Sequence, residues 1–138
     1  MSLQNNIYIV KDNTYALLNH SKAALVTSGT ATLETALLGI PEIVCYKGNP
    51  ITLALAKRFV KIKFIALVNL IMDKEVVKEL IQEDLTTKQL SIELKKLLED
   101  PAKQAGIKAD YASLKQALTT GHKATEVAAG IIQETLNK

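Results

Sequence analysis

Cysteine occurs once in these 138 residues, so no internal disulfide is open to the chain, and Cys45 itself sits in the apolar run Ile43-Val44-Cys45-Tyr46, where it reads as a small buried hydrophobe. That usage fits a reducing, cytosolic setting. Tryptophan is missing, aromatics make up 4% of the chain and the net charge is +3, which excludes the dense basic stripe and base-stacking surface of a nucleic-acid binder. No stretch approaches the roughly 20 apolar residues that a bilayer-crossing helix requires. The start lacks the charged-then-apolar layout of a secretory signal, and Met1, Ser2 and Leu3 read as a leader before a domain that begins near Gln4. Repeats and low-complexity tracts are missing too. What remains is 48% apolar and 22% charged, the make-up of one soluble globular domain with a substantial core.

Within that domain the pattern changes part-way. Residues 7–10 form a short β-branched and aromatic run, residues 14–20 a helix capped by Asp12 or Asn13, and residues 23–27 a second apolar strand. A helix follows over 30–38, closed by Gly39 with Pro41 blocking continuation, and residues 42–46 give a third strand. Pro50 opens a helix to about Val60, and residues 64–68 read as a fourth strand. From Glu75 onward the spacing is helical, over 75–81, 87–98, 103–118 and 123–136. The expected fold is α/β: a partial Rossmann-like parallel sheet with flanking helices and a helical carboxyl-terminal tail. Residues 4–120 form an incomplete nucleotide-sugar-binding domain and residues 121–138 a terminal helix. Four strands are few for a doubly wound domain, so the chain reads as part of something larger.

The chemistry concentrates where the second strand hands over to a helix through Ser28, Gly29 and Thr30. In a parallel sheet, ligands collect at the carboxyl ends of strands, and a helix starting there aims unpaired N–H groups and its positive dipole end at them. Gly29 lets backbone approach a phosphate, Ser28 and Thr30 bring hydroxyls, and Glu34, one turn on, suits two ribose hydroxyls. The same residues also make an ordinary helix cap, and spacing alone does not separate the two.

Three blocks in order, "AALVTSGTATLETALLGIPEIVCYK", "ITLALAKRFVKIKFIALVNLI" and "EVVKELIQEDLT", resemble the carboxyl-terminal part of the lipid-A-disaccharide synthases, which are GT-B-type glycosyltransferases. The resemblance covers about residues 7–98. It implies the donor-binding half of a GT-B fold and an inverting transfer of 2,3-diacylglucosamine from its UDP carrier to 2,3-diacylglucosamine 1-phosphate. Carried over, Ser28, Gly29 and Thr30 match the phosphate-facing turn and Glu34 the carboxylate at the ribose. Asn69 falls in the family's Leu-Pro-Asn-Leu block, here Leu67-Val68-Asn69-Leu70 without the proline. Glu79 and Gln82 match the family's Glu-Leu-Leu-Gln pattern. Without the resemblance Asn69 reads as a turn former, and Glu79 and Gln82 as one solvated helix face.

By the same resemblance, the amino-terminal half with its catalytic base is expected to lie outside this stretch, no catalytic residue is assigned within it, and the chain alone is expected to be inactive. His20 reads as a helix-end residue and His122 as a surface one. No metal or cofactor is expected. Acylated substrates imply contact with the inner membrane surface, for which Lys57, Arg58, Lys61 and Lys63 after the apolar residues 51–56 offer a basic amphipathic segment; the other reading is a core helix with solvated lysines. The apolar side of Val127, Ile131, Ile132 and Leu136 points to packing on the same domain or in a homodimer. Two competing functions share the turn: a non-catalytic nucleotide-binding or dimerisation domain, and another sugar-nucleotide enzyme such as an epimerase.

Overall fold

The computed structural model describes residues 7–27, 29–48 and 63–120. Helix α1 (Thr14–Asn19) leads to strand β1 (Ala24–Val26), helix α2 (Gly29–Leu37) and strand β2 (Glu42–Tyr46). Helix α3 (Leu67–Met72), strand β3 (Lys78–Ile81), a 3-10 turn (Gln82–Asp84) and helices α4 (Thr87–Glu99) and α5 (Pro101–Thr120) complete it. The three strands are parallel in the order β1-β2-β3, with Leu25 opposite Ile43 and Val44 opposite Glu79. This is the α/β class expected, a partial Rossmann-like sheet with flanking helices and a helical end.

Strand β2 is central and nearly all buried, as a parallel strand covered on both faces should be. Ile43, Val44, Val76, Val77, Leu80, Leu97, Ile107 and Leu114 close around it as one core. Each such side chain, fully removed from water, stabilises the fold by roughly 1.5–3 kcal/mol. Gly39, at φ +82°, ends α2, and the bonds Gly39 N–H to Ala36 and Ile40 N–H to Thr35 close its last turn. A left-handed residue costs glycine nothing there, which is why the chain can reverse directly into β2. Thr86 caps α4 by accepting from Gln89 N–H at 3.1 Å, and Asp100 caps α5 by accepting from Ala102 and Lys103 N–H.

Three expected elements are corrected. Residues 75–81 are not helical: Lys78–Ile81 form β3, the strand that flanks β2 on the side away from β1. Val76, Val77, Leu80 and Ile81 fit a four-residue step, but the pairing with β2 decides the conformation and buries Val76, Val77 and Leu80. Residues 64–68 are not a strand; the chain bends at 65–66 and Leu67 and Val68 already open α3, because the place beside β2 is taken by β3. Residues 7–10 form no strand among the described residues, with Ile7 79% and Ile9 96% exposed, since a β-branched run without a neighbouring strand has no ladder to join. The helices expected over 50–60 and 123–136, the basic residues Lys57, Arg58 and Lys61, His122 and the 121–138 unit lie outside the described residues. His20 ends α1 as read, its Nδ1 donating to the Ala16 carbonyl at 2.8 Å.

Candidate functional site

The carboxyl ends of all three parallel strands open on the same edge of the sheet. There β1 runs into α2, β2 into Lys47 and Gly48, and β3 into the turn Gln82–Asp84. A cleft of about 250 Å³ lies between the last two, lined by Lys47, Gly48, Gln82 and Glu83. Topology alone makes this edge the place where a ligand of a Rossmann-like sheet is held.

Of the residues expected at the site, Ser28 lies outside the described set. Gly29 is the first residue of α2, and a Cβ built on it would meet the Ile65 carbonyl at 3.5 Å, an ordinary contact. So its hydrogen side chain is not a demand of the fold. Thr30 and Glu34 are exposed, and among the described residues neither side chain has a partner. The α2 residues one face away behave oppositely: Thr32 and Thr35 are buried and return their hydroxyls to the carbonyls of Gly29 and Ala31. The helix therefore sorts its polar groups, satisfied ones inward and open ones outward, and its first turn carries no acidic side chain to occupy the positive end.

Asn69, Glu79 and Gln82 are committed differently. Asn69 is fully buried; its Nδ2 donates to the Val77 carbonyl and to Glu79 Oε1, both at 2.9 Å, while its Oδ1 accepts from Val76 N–H at 2.8 Å and Val77 N–H at 2.9 Å. Two donors and two lone pairs are all a carboxamide has, so Asn69 retains nothing for a ligand. The Glu79 carboxylate, besides Asn69, accepts from Ile65 N–H at 2.9 Å and Ala66 N–H at 2.9 Å. Acceptance by an anion of backbone N–H groups at the entrance of α3 makes Glu79 a cap supplied from another element. Gln82 spends both ends of its amide on one residue: Oε1 accepts from Gly48 N–H at 2.9 Å and Nε2 donates to the Gly48 carbonyl at 3.0 Å. Its own backbone sits at φ +52°, in the left-handed region that a non-glycine residue enters at a cost.

The first 132 residues match the family model described as Lipid-A-disaccharide synthetase. The chain belongs to the lipid-A-disaccharide synthase family. Over 133 residues it is 35% identical to the lipid-A-disaccharide synthase of Geobacter sulfurreducens, covering 96% of this chain and 34% of that protein. The Nitrobacter hamburgensis protein of the same name is 34% identical over 98% of this chain and 34% of its own length. That of Gluconobacter oxydans is 46% identical over 81 residues, 59% of this chain and 20% of its own. The chain thus spans about a third of the length of these family members.

Sequence reasoning missed two features. Gly48 is wedged between the Gln82 amide and the Tyr46 ring, whose atoms would lie 2.8–3.1 Å from a Cβ. The Gly-Asn-Pro at 48–50 was the available signal, a turn placed directly after a strand. The second is Glu42, a carboxyl at the head of an otherwise apolar strand. It is completely buried, neither oxygen has a hydrogen-bond partner among the described residues, and burial pushes its pKa up to about 9. Cys45 is buried as read, and burial raises its pKa, which leaves an unreactive thiol. Among the described residues no helix is long and apolar enough to cross a membrane.

Proposed function

We propose that this chain supplies the nucleotide-sugar-binding part of a bacterial hexosyltransferase of lipid A biosynthesis. The transfer moves 2,3-diacylglucosamine from its UDP carrier to 2,3-diacylglucosamine 1-phosphate. The observation that supports it most is the start of α2 at the carboxyl end of β1, where Thr30 and Glu34 are exposed and have no side-chain partner among the described residues, in a chain of the lipid-A-disaccharide synthase family. The amides of Gly29 and Thr30 hold the diphosphate oxygens, helped by the Ser28 and Thr30 hydroxyls, and the Glu34 carboxylate accepts from two ribose hydroxyls. Gln82 lines the cleft beside Gly48, and Glu79 and Asn69 stand behind it.

In the reaction an acceptor hydroxyl forms a bond to the anomeric carbon as that carbon's bond to the UDP oxygen breaks, with inversion. A base takes the hydroxyl proton, and the negative charge gathers on the departing diphosphate. The start of α2 is aimed at that charge, so its stabilisation grows as the bond breaks. We assign the base to the part of the longer family members that this chain does not match. The acyl chains of both substrates place the reaction at the cytoplasmic surface of the inner membrane.

Titration calorimetry of the chain with UDP and with the variant Glu34→Ala tests the assignment. Because Glu34 is exposed and has no partner among the described residues, Glu34→Ala is expected to leave the melting temperature unchanged and to weaken UDP binding about tenfold or more. Equal affinity in the two proteins would refute the ribose contact.

A further inference from the structure

Glu79 and Gln82 spend their side chains on backbone groups near the carboxyl edge of the sheet, and Asn69 ties Glu79 to the Val76–Val77 backbone that leads into β3. Gln82 holds the N–H and the carbonyl of Gly48, joining the loop after β2 to the turn after β3. Glu79 holds the N–H groups of Ile65 and Ala66, and Asn69 in turn holds Glu79. The carbonyl of that same Ile65 lies against Gly29, the first residue of α2. A continuous path therefore runs from β3 through Glu79 and the Ile65 peptide to the start of α2.

We propose that Glu79, Asn69 and Gln82 are positioning residues: they fix the Ile65 and Gly48 peptides as the two walls of the nucleotide cleft and touch no part of the nucleotide themselves. The proposal rests on the UDP-binding reading above and deepens it. The left-handed backbone at Gln82, φ +52°, supports it independently. A residue held in a strained conformation marks a place where surrounding structure dictates geometry, and here the amide pair to Gly48 supplies that constraint. Pre-formed walls spare the ligand the ordering of two loops, so losing a clip is expected to show as weaker binding without a missing contact.

The experiment measures, for the wild-type chain, Gln82→Ala and Glu79→Gln, both backbone amide hydrogen exchange in the free protein and the dissociation constant for UDP. In Gln82→Ala the Gly48 amide is expected to exchange about tenfold faster or more while core amides keep their protection, and UDP to bind about tenfold more weakly. In Glu79→Gln, which retains one acceptor oxygen, the Ile65 and Ala66 amides are expected to show the same pair of effects to a smaller degree. Faster exchange with unchanged UDP affinity would overturn the proposal by making the clips purely structural. Weaker binding with unchanged exchange would overturn it by making the side chains direct ligands. Absence of UDP binding by the wild-type chain would remove the nucleotide reading itself, and the inference with it.

Discussion

The hydroxyl of Tyr111 on α5 reaches the carbonyl of Ile40 at 3.2 Å, across 71 positions of sequence, and both residues are buried. This bond staples the last described helix onto the turn between α2 and β2, just after the glycine that lets that turn reverse. Tyr111→Phe keeps the ring and removes the donor, leaving a buried carbonyl unmatched. It is expected to cost about 1–2 kcal/mol of stability by denaturant titration and to leave UDP affinity unaltered. A neutral result would mean that the carbonyl finds another partner.

Glu42 predicts an unusual pH profile. In the folded chain its carboxyl holds its proton up to about pH 9, whereas an ordinary exposed glutamate gives it up near 4.5. Between those values the native state binds more protons than the unfolded one, so stability is greatest at the acidic end of the window, falls as pH rises through it, and levels off above the folded pKa. Glu42→Met, similar in shape and without a titrating group, is expected to flatten that slope and to raise stability by on the order of 2–4 kcal/mol at about pH 8. Thermal melts across the window decide it; a wild-type melting temperature that climbs with pH would contradict the assignment. The neighbouring Tyr111 phenol has its pKa raised by burial first and by the Glu42 charge second, so it stays a hydrogen-bond donor throughout.

Fold and function separate at Gly29. Since a Cβ there meets only an ordinary 3.5 Å contact with the Ile65 carbonyl, Gly29→Ala is expected to change stability by less than about 1 kcal/mol. The methyl group intrudes where the phosphate must approach the backbone, so UDP affinity is expected to fall about tenfold or more. A strongly destabilised variant would show that the glycine serves the fold instead.

How much of this was legible beforehand follows from which forces are local. Strand β2, helix α2 and its stop at Gly39 could be read because apolar period, capping and left-handed glycine all act within a few residues. Residues 64–68 and 75–81 could not, since each carries an apolar run that suits strand or helix. The choice is made by a long-range arrangement in which β3 pairs with β2 and its Glu79 captures the Ile65 and Ala66 amides. The site divides the same way. Glu34 lies on the helix where the pattern puts it, and Gly29, expected in the turn just before that helix, is its first residue. That Asn69 and Gln82 are engaged with backbone groups is visible only once segments 8 to 34 positions apart meet.

The 138-residue chain by itself is expected to carry out no detectable glycosyl transfer in a radiolabelled assay, even where it binds UDP. Family members run about three times its length, and donor binding without a positioned acceptor and base gives no in-line attack. Turnover above background would relocate the catalytic base into this segment.

The central claim is that a UDP diphosphate settles on the amides that open α2. Titrating ¹⁵N-labelled chain with UDP and following its amide spectrum tests this most directly. Saturable shifts centred on Gly29, Thr30 and Ala31, extending to Glu34 and Gly48, are the predicted result. Saturable shifts centred on another part of the molecule, or none at millimolar UDP, would contradict it.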